Sequence, residues 1–194
     1  MENNSVKEKL ESRLDSYKKA VESLAISKSD VIFPNQDAEH AAIVISNIIN
    51  HSDKEVRIFD DDLSGDVSDN SPELLAALRK AVIEDKKLVK ILVKDDSHKE
   101  TKIYQLLSEL IEVNDNLIVK KTNQKFIDSI RNASQNIVNE NTMINFSIGD
   151  KTSFRIEFPK NNRKAFCSFN NPEISKTLWE LFESNFEDFE PVFS

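Results

Sequence analysis

Two stretches of the sequence hold residues whose types and spacing could do chemistry. The first is the acidic loop "DDDLSGDVSDNS", residues 60 to 71. Asp60, Asp62, Ser64 and Asp66 fall on positions one, three, five and seven of a calcium-binding EF-hand loop, and Gly65 falls on its turn position. Position twelve is Ser71, where a bidentate glutamate is needed to complete calcium's oxygen shell. Magnesium asks for less, one or two carboxylates beside water and substrate. The plainer reading is a run of turn and capping residues between a strand and a helix. The second stretch is "TSFRIE", where Arg155 and Glu157 stand two apart and share one face of an extended chain. A guanidinium and a carboxylate so placed can bind a phosphate or a small ligand, and they also form ordinary salt bridges. Arg155 and Glu157 are therefore candidate ligand-binding residues. Asp60, Asp62 and Asp66 are the metal-ligand candidates of a chain otherwise expected to need no metal and no cofactor.

Other chemistries find no footing. His40, His51 and His98 are scattered, and none shares a short metal-binding spacing with another. Cys167 sits between apolar residues in "KAFCSFN", as a small core residue does. The sequence has no GxSxG elbow, GxxxxGK loop or GxGxxG fingerprint. Its only glycines are Gly65 and Gly149, so a backbone-cradled phosphate site of the usual kind is excluded.

The elements that must position these residues alternate between helix and strand. Leu10, Leu14, Tyr17, Val21 and Leu24 are spaced by four and three, predicting an amphipathic helix over residues 5 to 26. Its bland role is docking on its own domain, and its sharper role is a dimer contact. "DVIFP" reads as a short strand, and "NQDAEHAAIVISNIIN" as a helix capped by Asn35 or Asp37. "KEVRIFDDD" is a strand. Ser71 before Pro72 and Glu73 marks a helix start. "KLVKILVKD" reads as a buried parallel strand, followed by the helix "KETKIYQLLSELIEV" and the strand "NLIVKKT". "QKFIDSIRNASQNIVNE" is helix or loop. "MINFSIGDKTSFRIE" reads as a hairpin with a Gly149–Asp150 turn, before the strand "KAFCSFN" and the helix "PEISKTLWELFESNFEDF". This is an α/β layout: a mixed, largely parallel sheet flanked by helices, with an N-terminal amphipathic helix over 1–29 and a single domain over 30–194.

Charge narrows the partners. The formal net charge is -8. A nucleic-acid binder should show a basic surplus or patch. The largest local surplus, around Lys120, Lys121 and Lys125, is modest. Nucleic acid is thus disfavoured as a partner. No run of about 18 apolar residues is present, so no membrane span is expected. One cysteine allows no internal disulfide, and the expected location is cytoplasmic.

The order of elements resembles a phospholipase D-like domain, over roughly residues 30 to 190. The strand after a helix in "AIVISNIINHSDKEVRIFDDDLS" is similar to that family's opening, and "KAFCSFNNPEISKTLWELFESNFE" to its ending. Between them the family carries a hairpin with His-x-Lys, then Asp after four residues. Asp150 falls on the aspartate, Asn145 on the lysine and Met143 on the histidine. In active members the histidine attacks phosphorus and the lysine neutralises the phosphoryl oxygens. A methionine thioether cannot replace that nucleophile, nor an asparagine that cation. The resemblance therefore implies a catalytically degenerate member, a pseudoenzyme serving as a binding or assembly module. An accessory role in a bacterial regulatory or defence system is one such setting. Family members place two domains face to face, which implies a homodimer or a partner protein, through the N-terminal helix or the Met143–Asp150 face. Two alternatives stand beside this reading. One is a metal-assisted phosphodiesterase or nuclease using the 60–66 loop. The other is a ligand-sensing or nucleic-acid-binding regulator.

Overall fold

Each strand in the middle of the chain alternates two inward faces, and the helices between them supply two covers. In the computed structural model, which describes residues 2–139, 142–158, 164–184 and 186–193, this yields one eight-stranded sheet between helical layers. The strands are β1 (Phe33–Asn35), β2 (Glu55–Asp60), β3 (Leu88–Val93), β4 (Leu117–Lys121), β5 (Asn145–Gly149), β6 (Ser153–Phe158), β7 (Lys164–Ser168) and β8 (Glu190–Pro191). Their order across the sheet is β1-β7-β6-β5-β2-β3-β4-β8. The helices are α1 (Glu2–Ile26), α2 (Asp37–His51), α3 (Pro72–Ile83), α4 (Lys102–Ile111), α5 (Gln124–Val138) and α6 (Pro172–Glu183).

The sheet is mixed and flanked by helices, as expected, but its parallel share is smaller than the sequence pattern implied. Among the described residues only β2–β3 and β3–β4 pair in parallel, joined through the crossover helices α3 and α4. The other five pairings are antiparallel. The reason lies in the hairpin strands. β5, β6 and β7 insert between β1 and β2, so the first helix-linked strand pair never becomes neighbours. Short links favour antiparallel pairing, whereas parallel pairing needs a crossover.

Two apolar layers fill the space on either side. One packs Val56, Ile91 and Val119 of the sheet against α2, α3 and α4. The other packs Phe59, Phe146 and Ile156 against Phe126 and Ile130 of α5 and Leu178 and Phe182 of α6. A third cluster seats α1. Val21 and Ala25, 1% and 2% exposed, meet Val44 and Ile48 of α2 and Cys167 of β7. Leu10 lies outside the described side chains; Leu14 is half-buried.

Caps fix where helices begin. The Ser71 side chain accepts from Leu74 N–H ahead of Pro72, as the sequence signalled. Asn171 does the same for Ile174 ahead of Pro172. At α2 the capping acceptor is Asp37, whose carboxylate takes the His40 N–H at 2.9 Å. Asn35 is drawn into β1 and buried.

Candidate functional site

The carboxyl end of β2, the start of β5 and the end of β6 meet at one edge of the α2–α3 layer. A cavity of about 480 Å³ opens there. Ile45 and Ile49 of α2 and Leu74 and Leu78 of α3 form hydrocarbon walls. Asn145, Ser147, Arg155 and Glu157 line its floor, and residues 60 to 68 its rim.

The floor is built by register. Asn145 stands opposite Glu157 and Ser147 opposite Arg155, so four polar side chains from two strands share one face. Arg155 and Glu157 are 2% and 3% exposed. Arg155 Nη2 donates to Glu157 Oε2, and Arg155 Nε donates to Asn35 Oδ1 at 3.0 Å. The Cys167 thiol donates to the same Asn35 oxygen at 3.2 Å. The same-face placement expected for Arg155 and Glu157 is therefore a buried ion pair held by a third residue. Asn35 was missed as a site residue because a polar residue after "VIFP" also reads as a cap. Among the described residues, three buried polar atoms around this cluster have no hydrogen-bond partner: Asn145 Oδ1, Asn35 Nδ2 and the Tyr17 hydroxyl. Buried polar atoms are paired as a rule, so an unpaired group marks either ordered water or a missing ligand. Burial raises the Tyr17 hydroxyl well above its ordinary range. It also pushes the Cys167 thiol up to about 12, which leaves no thiolate nucleophile at neutral pH.

The three positions that the resemblance aligned with the family motif separate. Asn145 lines the cavity, while Met143 packs against the apolar layer of α5 and α6. Asp150 follows the far end of β5, a strand about 13 Å long that begins at Asn145. Its carboxylate accepts the N–H groups of Asp53, Lys54 and Glu55, the last two at 3.0 Å. It ties the hairpin to the start of β2. The turn also differs from the expected Gly149–Asp150. Asp150 and Lys151 carry the positive φ values, 48° and 60°, and Thr152 N–H closes the turn on Gly149 C=O at 3.0 Å. Gly149 is needed for closeness: a Cβ there would stand 2.1 Å from Ser52 Oγ.

The acidic loop disperses its carboxylates. Asp61 pairs with Lys94 at 2.9 Å. Asp62 accepts the Ser64 N–H at 2.9 Å and stands 3.9 Å from His98 Nε2. Asp69 accepts the N–H groups of Lys102 and Ile103, capping α4 from a distance. Gly65 has φ of +80°, and a Cβ there would run into the Asp69 carboxylate. Among the described residues no group of three His, Cys, Asp or Glu side chains is placed to hold a metal ion. Asp60, Asp62 and Asp66 are brought to one cavity rim but not into one ligand shell.

A second charged cluster, on the opposite face, went unread in the sequence. Arg57, 4% exposed, lies 3.1 Å from the Trp179 ring centroid and donates to Glu183. Lys90 Nζ donates to the same carboxylate at 3.1 Å and sits 4.2 Å from the Phe186 ring centroid. Burial pushes the Glu183 carboxyl up, but hydrogen bonds and charge from Arg57 and Lys90 outweigh it and hold the carboxyl below its usual range. Arginine and lysine inside otherwise apolar strands were the available signal. The cluster fastens α6 to the sheet.

No family model matches the sequence, and no curated protein matches it. Solved structures do resemble the fold. TrmBL2 is an archaeal chromatin protein whose structure shows a novel mode of DNA binding. The chain is similar to it with a TM-score of 0.59 and 14% identity, over 98% of this chain and 66% of that one. It is similar to Nuc of Salmonella typhimurium, a phospholipase D family member, with a TM-score of 0.57 and 12% identity, over 84% of this chain and 99% of that one. NucT from Helicobacter pylori gives a TM-score of 0.53 and 10% identity, over 83% and 99%. At these identities the likeness is one of fold. The mixed sheet, the late hairpin strands inserted beside β2 and these structural neighbours together make this a phospholipase D-like fold.

Proposed function

We propose that the chain is a non-catalytic phospholipase D-like binding module whose ligand enters the cavity over β5 and β6. The observation that carries this reading is the fate of the motif positions. Asn145 reaches the cavity where the family's lysine would be, and Met143 is packed in the opposite apolar layer. Neither supplies a nucleophile or a cation. What the cavity offers is an apolar enclosure with a few convergent polar groups, the common make-up of a small-molecule site. The test is hydrolysis of bis(p-nitrophenyl) phosphate and of single- and double-stranded DNA, with magnesium or with EDTA. No turnover is expected in any condition. Turnover that Asn145→Ala or Asp60→Asn abolishes would replace this reading with that of an enzyme.

A regulatory setting is the second part of the proposal, and the likeness to TrmBL2 favours it. That protein binds DNA, and this chain matches it along nearly its whole length while spanning 66% of it. With a net charge of -8, the module would act in such a setting as the ligand-responsive part, joined as a homodimer or to a partner protein. Sedimentation equilibrium checks the dimer. Fluorescence anisotropy with duplex DNA at low salt checks direct DNA contact, which is expected to be weak.

A further inference from the structure

We propose that the cavity takes a neutral amphipathic molecule, whose carbonyl oxygen accepts hydrogen bonds from Ser147 and Arg155 at the floor. The inference rests on the reading of the cavity as a binding site and names the chemical class of its ligand.

Strand alternation aims the floor. Phe146 and Ile148 of β5, with Phe154 and Ile156 of β6, pack into the apolar layer of α5 and α6. Ser147 and Arg155 lie between them in sequence and so point the other way, into the cavity they line. The two stand opposite each other in register, which brings their polar heads to one small area. Each residue is 2% exposed.

Neither head is satisfied. Among the described residues the Ser147 hydroxyl has no hydrogen-bond partner. Arg155 donates through Nε to Asn35 and through Nη2 to Glu157, while its Nη1 has no acceptor among the described residues. Unlike Asn145 Oδ1, neither atom is sealed off, so the cavity reaches both. Donors this deep in a fold are paired as a rule. The space of about 480 Å³ holds far more than one bridging water.

The missing group is an acceptor rather than a counter-charge, because Glu157 already balances Arg155. A carbonyl oxygen has two lone pairs and can take both donors at once. A carboxylate head would bring a further negative charge beside Glu157, and like charges so placed repel. A hydrocarbon would leave both donors bare. Ile45 and Ile49 of α2 and Leu74 and Leu78 of α3 then enclose the apolar body.

The test is isothermal titration and thermal melting of the full chain with three matched probes: benzylacetone, hydrocinnamate and butylbenzene. The ketone is expected to raise the melting temperature and to bind at least about tenfold more tightly than the carboxylate or the hydrocarbon. Ser147→Ala should weaken the ketone by about threefold to tenfold, the loss of one hydrogen bond, and leave butylbenzene unchanged. The infrared carbonyl stretch of the bound ketone, isotope-labelled, should move to higher wavenumber in the same variant. Ser147→Cys, a far weaker donor, gives the same reading should the alanine variant fail to fold. Ile45→Trp, which fills the space, should abolish binding of every probe while unfolding stays cooperative. If hydrocinnamate or butylbenzene binds as tightly as the ketone, or the Ser147 variants bind the ketone unchanged, the carbonyl assignment falls and the cavity remains a binding site. If none of the three binds, the carbonyl assignment and the cavity reading fall together.

Discussion

A buried arginine–glutamate pair seldom exists for stability alone. Removing two charges from water costs several kcal/mol, and their attraction only roughly repays it. Glu157→Gln leaves the Arg155 charge without its counter-charge in a site 2% exposed, so it should cost about 3–5 kcal/mol in urea denaturation. The double substitution Arg155→Met with Glu157→Leu should recover most of that loss. A double variant as unstable as the single one would show that the pair is kept for the fold. On the other face, Glu183 ties stability to pH. Its folded carboxyl titrates below its unfolded one, because Arg57 and Lys90 favour the charged form. Its contribution is therefore complete above the ordinary glutamate range and is lost as pH falls through the lowered folded value. A plot of melting temperature against pH should fall more steeply at acid pH for the natural chain than for Glu183→Gln, which should start lower at neutral pH. At this scale the sequence spoke unevenly. Arg155 and Glu157 announced a shared face by their spacing, but nothing local placed Asn35, distant in the chain, against Arg155 Nε.

At the scale of the element, the β5–β6 hairpin is held from outside. Three backbone N–H groups of residues 53–55 converge on the Asp150 carboxylate. Asp150→Ala should therefore cost about 2 kcal/mol, as hydrogen bonds to a charged acceptor do. Chemical denaturation of the variant checks the cost. An aspartate at a hairpin tip was legible as a turn residue. That it would bind a strand start some hundred positions earlier was not, because a tertiary contact leaves no local periodicity. The N-terminal helix was legible from its spacing of four and three, and Val21 and Ala25 of its docked half pack with Val44 and Ile48 of α2 around Cys167. That cover makes a prediction. Cys167, with its thiol pushed up to about 12, should resist a disulfide reagent in the folded chain and react at the rate of unfolding. Removing residues 1–26 should speed labelling by at least about tenfold.

For the whole molecule, the layered class was readable because helix and strand periods alternate so plainly. The sheet's direction was not. Parallel order was inferred from alternation, but which strands become neighbours depends on β5–β7 inserting between β1 and β2. The dispersed carboxylates of residues 60–69 belong to this scale as well. They serve Lys94, Ser64 and the start of α4. Magnesium or calcium at millimolar concentration should accordingly leave the melting temperature within about 1 °C, whereas a resident ion would raise it by mass action.

Trp179 is the chain's one tryptophan, 6% exposed, with Arg57 at 3.1 Å and Lys151 at 4.6 Å from its ring centroid. It belongs to the apolar layer of α5 and α6, across the sheet from the cavity floor. The molecule thereby carries its own optical reporter, and a selective one. Indole emission should stay still when the cavity on the other face is occupied and shift to the red only when α6 lifts from the sheet. Unfolding can thus be followed in one cuvette without attaching a dye, undisturbed by what the cavity holds.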